Sequence, residues 1–166
     1  MNIFFTHHCP EIAARNLCMV HVNKMIIESM QILSTAHRVL DNTENDSLMK
    51  STHINHPSSV WVRENAAHYQ WLFAHVSELC AMYTKHTNKI HACEKRLDFL
   101  YNSPANIMFK APVEPPRVMS DDLKFDETIS NTKAYQMYLK RKYNEWVNRE
   151  KPIKVVFVYE TPSFIV

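Results

Sequence analysis

Residues 20–40 read VHVNKMIIESMQILSTAHRVL, and this stretch decides the fold of the chain. Six polar residues within it recur at spacings of 3, 4, 3, 4 and 3, namely His21, Lys24, Glu28, Gln31, Thr35 and Arg38. At about 100° per residue, an α-helix places all six on one face and leaves the branched apolar residues to pack on the others. The pattern therefore predicts a long, largely buried helix over residues 22–39.

The polar face of this helix is also a candidate catalytic site. Lys24 and Glu28 are one helical turn apart, and His21 lies on the preceding turn. Burial lowers the pKa of an amine and a neighbouring acid transfers protons, so a desolvated Lys24 beside Glu28 meets the needs of amine nucleophile chemistry. In this interpretation His21 orients the other groups or contacts phosphate. The plainer interpretation is the exposed stripe of an amphipathic core helix.

Composition excludes several other classes of site. The chain has 166 residues and contains no glycine, whereas average usage is about 7%. Without glycine there can be no Gly-rich phosphate loop, dinucleotide fingerprint or nucleophile elbow, and the turns of an all-β fold become difficult. We therefore expect an all-α, compact single domain over residues 1–166, with long ordered loops and little strand.

The cysteines and the start of the chain indicate the compartment. Four cysteines occur without any Cys-x-x-Cys pair, which favours free thiols in a reducing cytoplasm. The apolar lead is too short for a secretory signal, and no run of about 18 apolar residues predicts a membrane span. We expect no cofactor and no membrane partner, and the sequence leaves the oligomeric state open.

Other helix and strand signals lie outside the central stretch. They predict a helix starting at Pro10, a helix capped by Ser58 or Ser59 and continuing toward Tyr83, a shorter helix over residues 90–101, and a final helix from Thr128 or Ser130 to about Val147. The tail, residues 151–166, has strand-like β-branched content between residues 153 and 159. Its one candidate partner strand is residues 3–5.

His53 and His56 lie on a loop that enters a helix at Pro57. Backbone N–H groups gather at such a helix start, which suits a phosphate. The spacing His53-x-x-His56 also suits the beginning of a metal site, although no His-Glu-x-x-His motif or Cys/His spacing completes it. We therefore predict no metal ligands, and a His-metal-dependent nuclease or hydrolase remains an alternative.

The last predicted helix is basic and aromatic. Between Lys133 and Lys154 there are seven basic residues against two acidic ones, and tyrosines interleave with the basic residues. Aromatic side chains can stack on bases while lysine and arginine hold phosphates, although an ordinary basic surface helix has the same composition. The residues predicted to contact double-stranded DNA are Arg38, His53, His56, Arg63, Lys140, Arg141 and Lys142.

The order of these features resembles the phage-type pyrimidine-dimer DNA glycosylases. Met1-Asn2-Ile3 leads into an amphipathic run at residues 9–17, Asn55-His56-Pro57-Ser58 leads through Val60-Trp61-Val62 into a central helix, and a proline-bearing loop precedes a basic, aromatic late helix. The blocks at residues 21–28 and 53–57 also look like small phage and bacterial proteins that are grouped with these glycosylases.

The resemblance implies an all-helical domain and bifunctional base excision. In that family an amine at the chain start attacks the deoxyribose C1′ and forms a Schiff base, a glutamate assists, and a base is flipped out of kinked DNA. This chain departs from the pattern at two points. Asn2 is too large for efficient removal of the initiator, so the amine would lie on Met1, and the family's glutamate would fall near Val20 or His21, where Glu28 would have to substitute.

The expected function is therefore that of a DNA glycosylase with or without AP-lyase activity, acting on a damaged or modified pyrimidine. Lys24 or the Met1 amine is the predicted nucleophile, Glu28 the acid and base, and His21 the orienting group. The rival is a non-catalytic helical DNA- or protein-binding module, in which the polar face is a buried network that fixes helix packing. An enzyme predicts an open cleft over Lys24 and Glu28, approached by His53 or His56, whereas a module predicts a closed one.

Overall fold

Seven α-helices form the fold in the computed structural model, which describes residues 1–166. They are α1 (Pro10–Arg15), α2 (Met19–Asp41), α3 (Pro57–Arg63), α4 (Ala66–Thr87), α5 (Leu97–Leu100), α6 (Asp121–Lys124) and α7 (Asn131–Val147), with a 3-10 turn at Glu94–Arg96. Helices hold 52% of the residues and no strand is present, so the all-α prediction is confirmed. None of these helices combines the length and apolar character needed to cross a membrane.

The central helix α2 contains the whole predicted span. It packs against α3 and α4, and α4 also packs against α1. Its inward residues, among them Met25, Ile26 and Leu33, are fully or almost fully buried. The helix ends where Asn42 takes the left-handed conformation (φ 50°, ψ 36°), a role that glycine usually fills and that asparagine tolerates.

The helix predicted from Ser58 to Tyr83 is broken in two. Asn65 is extended (φ −155°, ψ 132°) between α3 and α4, and its Oδ1 accepts a hydrogen bond from the Ala67 N–H at 3.0 Å. Its Nδ2 donates to the carbonyls of Lys110 and Ala111 at 2.9 and 3.3 Å. Asparagine favours such caps over helix interiors because its short side chain competes for backbone groups. Because of this break α3 and α4 are separate helices. The loop over residues 105–116 is hydrogen-bonded to Trp61 on α3 and to Asn65 at the junction.

One predicted helix start and one predicted helix length also differ in the structure. His56, and not Ser58 or Ser59, caps α3, because its Nδ1 accepts from the Ser58 N–H at 3.2 Å. The helix predicted over residues 90–101 is reduced to the 3-10 turn followed by the four-residue α5. At α7 the expectation holds, since the Ser130 hydroxyl accepts from the Lys133 N–H at 3.2 Å.

The strand expected in the tail does not form. Residues 153–158 are irregular and make only two single backbone bonds, from Ile153 N–H to the Trp146 carbonyl and from Met19 N–H to the Val156 carbonyl. The apolar side chains of this segment, including Phe157, pack against the helical core instead. Burial on helices thus replaces strand pairing as the reason for the β-branched composition.

Candidate active site

A cleft of about 220 Å³ opens between the N-terminal lead, α2 and α7. Its lining includes Met1, His21, Lys24 and Glu28, the four residues that the sequence singles out for catalysis. The other lining residues are Asn2, Phe4, Met25, Val118, Tyr138 and Lys142. The long helix, the chain start and the last helix therefore contribute to one site.

Glu28 is the centre of the polar contacts in this cleft. Its Oε2 accepts a hydrogen bond from the main-chain N–H of Asn2 at 3.2 Å, and its Oε1 lies 3.4 Å from Lys24 Nζ. The side chain of Glu28 is only 17% exposed, whereas that of Lys24 is 66% exposed. The desolvated lysine expected from the sequence is therefore not observed, and the carboxylate is the buried partner. The carboxylate is thus close enough to the Lys24 amine to accept a proton from it, and it holds the chain start through the main-chain N–H of Asn2.

The side chain of Asn2 folds the chain start over the cleft. Its Oδ1 accepts from the N–H groups of Ile3 and Phe4 at 2.7 and 2.9 Å, and its Nδ2 donates to the Val118 carbonyl at 2.7 Å. Phe4 is consequently held in the left-handed region (φ 52°), which costs a non-glycine residue on the order of 1–2 kcal/mol. The strained turn places the Phe4 ring 4.6 Å from the ring of His21.

His21 is a buried, neutral imidazole. Its Nδ1 lies 2.8 Å from the Tyr143 hydroxyl, which also accepts from the Cys18 N–H at 3.1 Å. Burial, with the charges of Lys142 and Lys24 adding to it, lowers the pKa of His21 to about 3. The side chain therefore carries no charge near neutral pH, which suits an orienting role better than charge-assisted contact with phosphate.

His56, the N-cap of α3, does not line the cleft but lies where the charges of the chain start and of Glu28 act on it. Burial, the α-amine of Met1 and His53 all lower the pKa of His56, while Glu28 opposes them. His56 is thus close enough to the chain start and to Glu28 for their charges to act on it. His53 is exposed in the left-handed conformation (φ 48°) with its Nδ1 2.6 Å from the Thr52 hydroxyl, and neither it nor Gln31 lines the cleft.

The three consecutive basic residues of α7 point to three different places. Lys142 lines the cleft, with its Nζ 5.5 Å from the ring centroids of both Tyr138 and Trp146. Lys140 Nζ donates to the Val166 carbonyl at 2.8 Å, and Arg141 pairs with Asp122. Successive residues of a helix diverge by about 100°, so only one of the three can face a given site.

Two of the predicted DNA contacts make hydrogen bonds within the chain. Arg38 donates to the carbonyls of Met49, Thr43, Asn45 and Leu48 and pairs with Glu44 at 2.8 Å, so its side chain holds the loop after α2. Arg63 donates to the Ile54 carbonyl in the loop before α3. Both guanidinium groups are already engaged by their own chain.

Some residues in and around the cleft could not be expected from the sequence. Asn2 lines the cleft and acts through local backbone bonds, and Tyr143, outside the lining, holds the cleft residue His21 from 122 positions away. Neither feature leaves a spacing signal. The histidines that suggested a metal are also dispersed, since no three His, Cys, Asp or Glu side chains lie close enough together to hold a metal ion.

No family model, curated protein or solved structure matches the chain. The chemistry of the cleft is therefore the basis on which a function can be assigned.

Proposed function

We propose that this protein excises a damaged or modified pyrimidine from DNA through an amine nucleophile at the cleft. The observation that supports the proposal is the convergence of Met1, Lys24 and Glu28 on one open cleft, with the carboxylate 3.4 Å from the Lys24 amine. Amine, proton acceptor and substrate space are the three elements that Schiff-base chemistry on a sugar requires.

The proposed reaction uses one amine as the nucleophile and Glu28 as the proton carrier. The neutral amine attacks C1′ of the deoxyribose, the nitrogen–C1′ bond forms, and the glycosidic bond breaks so that the base leaves with the electron pair and takes a proton from water. Glu28 accepts the proton that the amine loses and then assists opening of the sugar to the iminium form. Water hydrolyses the iminium and leaves an abasic site, or loss of a C2′ proton expels the 3′ phosphate and nicks the strand.

Two amines are candidates for the attack. Lys24 Nζ is exposed enough to reach an incoming sugar, and it already contacts Glu28. The Met1 amine is one peptide unit from the Asn2 N–H that Glu28 holds, and its charge acts on His56. The resemblance to pyrimidine-dimer glycosylases favours the amine of the chain start.

The charge of the cleft suits a DNA backbone. Lys24, Lys142 and the Met1 α-amine surround a single carboxylate, Glu28, so the lining carries a net positive charge. Cationic clefts attract phosphate, and Tyr138 offers an aromatic face at the same place. A purely structural polar network would be packed shut, whereas here Lys24 is 66% exposed over an open cleft.

The test is release of a base from defined DNA. Duplexes that carry a pyrimidine dimer, an abasic site or a hypermodified pyrimidine are incubated with the protein, and free base and strand nicks are measured. We expect turnover on at least one of them, unchanged by a metal chelator, since an amine needs no metal. Binding without turnover on all three would instead support the DNA-binding module, and loss of activity with chelator would support the histidine-metal alternative.

A further inference from the structure

A second pocket, of about 240 Å³, lies between the N-terminal lead, the α3–α4 junction and residues 112–114. It shares no residue with the cleft described above. Its lining is predominantly aromatic and comprises Phe5, His8, Trp61, Ala67, His68, Trp71, Pro112, Val113 and Glu114. An opening lined by several aromatic side chains is a candidate binding site for a ligand that favours aromatic contacts.

The aromatic rings that line this pocket are set at steep angles to one another. The ring centroids of Trp61 and Trp71 are 6.3 Å apart with an interplanar angle of 77°. Those of Phe5 and Trp71 are 5.1 Å apart with an angle of 47°. His68, which also lines the pocket, stacks on Trp61 with ring centroids 4.2 Å apart and an interplanar angle of 10°. The rings therefore enclose a space from several sides, and they do not form a parallel slot for a flat group.

The pocket has almost no free hydrogen-bond donor. Trp61 Nε1 donates to the Val113 carbonyl at 2.9 Å, and Trp71 Nε1 donates to the His8 carbonyl at 2.7 Å. His68 has both nitrogens engaged, Nδ1 with the Trp61 carbonyl at 2.8 Å and Nε2 with the Val113 N–H at 2.9 Å. A ligand that is read through hydrogen bonds, such as the edge of a base, would find few partners here.

The one anionic group of the pocket is Glu114. Its side chain is 40% exposed, and its Oε1 lies 3.7 Å from Nε2 of the exposed His8. No lysine or arginine lines the pocket. The lining therefore combines ring faces, whose electron density is negative, with one carboxylate that no fixed cation neutralises.

We propose that this pocket binds an alkylated ammonium group. Such a cation carries its charge on an apolar shell, so it needs aromatic faces and a carboxylate and has no use for hydrogen-bond donors. An anion is disfavoured by Glu114, and a neutral apolar group would leave that carboxylate without a partner. The volume, about 240 Å³, is below the roughly 300 Å³ at which sites for drug-sized ligands begin, and it fits a head group.

The first experiment compares a cation with its neutral isostere. Choline and 3,3-dimethylbutan-1-ol have the same shape and differ by the charge, and each is titrated into the full chain by calorimetry. Two of the three tryptophans line the pocket, so fluorescence gives a second readout. We expect saturable binding of choline and at least tenfold weaker binding of the alcohol. Equal binding of the two, or no binding of choline, overturns the proposal.

A second arm identifies the source of the group. A short peptide with trimethyllysine is titrated beside the same peptide with unmodified lysine. Tighter binding of the trimethylated peptide than of choline assigns the site to a modified side chain, and the reverse order assigns it to a free amine. Stronger binding of unmodified lysine than of either alkylated probe contradicts the proposal.

Substitutions test whether choline binding depends on the charge of Glu114 and on the ring of Trp71. Glu114→Gln keeps the shape of an exposed side chain, so we expect a loss of choline affinity of at least fivefold with an unchanged circular dichroism spectrum, whereas Glu127→Gln, an exposed glutamate elsewhere, has no effect. Trp71→Leu removes a ring and should abolish binding. If Trp71→Leu is unfolded, the Glu114→Gln result decides alone, and unchanged affinity in that variant contradicts the proposal.

Discussion

The main-chain N–H of Asn2 donates to Oε2 of Glu28 at 3.2 Å, across 26 positions of sequence. The other oxygen of the same carboxylate lies 3.4 Å from Lys24 Nζ. One half-buried side chain thus fixes the chain start to α2 and contacts the exposed amine of that helix. The proposed chemistry depends on this carboxylate, whichever amine attacks.

Glu28→Gln should separate the chemical role of the carboxylate from its structural one. The amide oxygen of glutamine can still accept from Asn2, so we expect an unchanged fold and DNA affinity. Turnover should fall by roughly 10²-fold or more, because a positioned proton acceptor is lost. Base release on the substrate found active measures the effect.

The matched control for that variant is Glu145→Gln on α7. Glu145 is an exposed glutamate that pairs with Arg149, away from the cleft. We expect its turnover to stay within a factor of two of the unmodified chain. Equal activity of the two variants would remove Glu28 from the mechanism.

Lys142→Glu should weaken DNA binding more than Arg141→Glu. Lys142 lines the cleft, whereas Arg141 is paired with Asp122 on another face of α7. Log affinity falls as log salt concentration rises, and each lost phosphate contact makes this negative slope shallower by about one. Fluorescence anisotropy with a labelled duplex over a salt series measures the slope, and the same slope for both variants would argue against a cleft-centred interface.

Arg38→Gln should destabilise the protein without changing how DNA affinity depends on salt. Arg38 donates to four loop carbonyls and to Glu44, so its loss leaves several acceptors without a donor. We expect the free energy of unfolding to fall by on the order of 1–3 kcal/mol. Urea denaturation measures that change, and a reduced salt slope in the anisotropy assay would restore Arg38 as a DNA contact.

Acid should destabilise the protein through His75. Both of its ring nitrogens lack a partner, the side chain is fully buried, and burial lowers its pKa to about 3. Between about pH 6.5 and pH 3 the unfolded chain binds a proton that the folded chain does not, so stability is lost as the pH falls through that window. Protonation of His21 should lower the stability over the same pH range, since its pKa is also lowered to about 3.

His75→Phe should remove the share of acid sensitivity that belongs to His75. Phenylalanine can keep the stacked contact with Trp71, now 5.2 Å between ring centroids, and has nothing to protonate. Urea denaturation near pH 7 and near pH 4.5 should show a smaller difference in unfolding free energy for the variant, by on the order of 1–3 kcal/mol. An unchanged difference would show that His75 titrates normally in the folded chain.

The sequence was sufficient for elements whose signal is local and periodic. The 3–4 spacing of polar residues in α2 predicted both the helix and three members of the cleft, and the serine at position 130 predicted the start of α7. It failed where a single residue makes distant bonds. Asn65 breaks a helix because its side chain caps α4 and donates to the carbonyls of Lys110 and Ala111. The strand predicted in the β-branched tail was wrong, because β-branched residues suit packing against helices as well as pairing in a sheet.

Borohydride trapping tests the central claim, an amine nucleophile at the cleft, most directly. The reagent reduces a protein–DNA Schiff base to a stable amine, so the protein and a duplex carrying an abasic site or a damaged pyrimidine should migrate as one covalent species. Lys24→Ala should abolish the adduct if Lys24 is the nucleophile, and acetylation of the Met1 amine should abolish it if that amine is. Peptide mapping of the adduct assigns the residue, Met1 or Lys24. Base release without a trapped adduct, or an adduct on a lysine outside the cleft, would contradict the account.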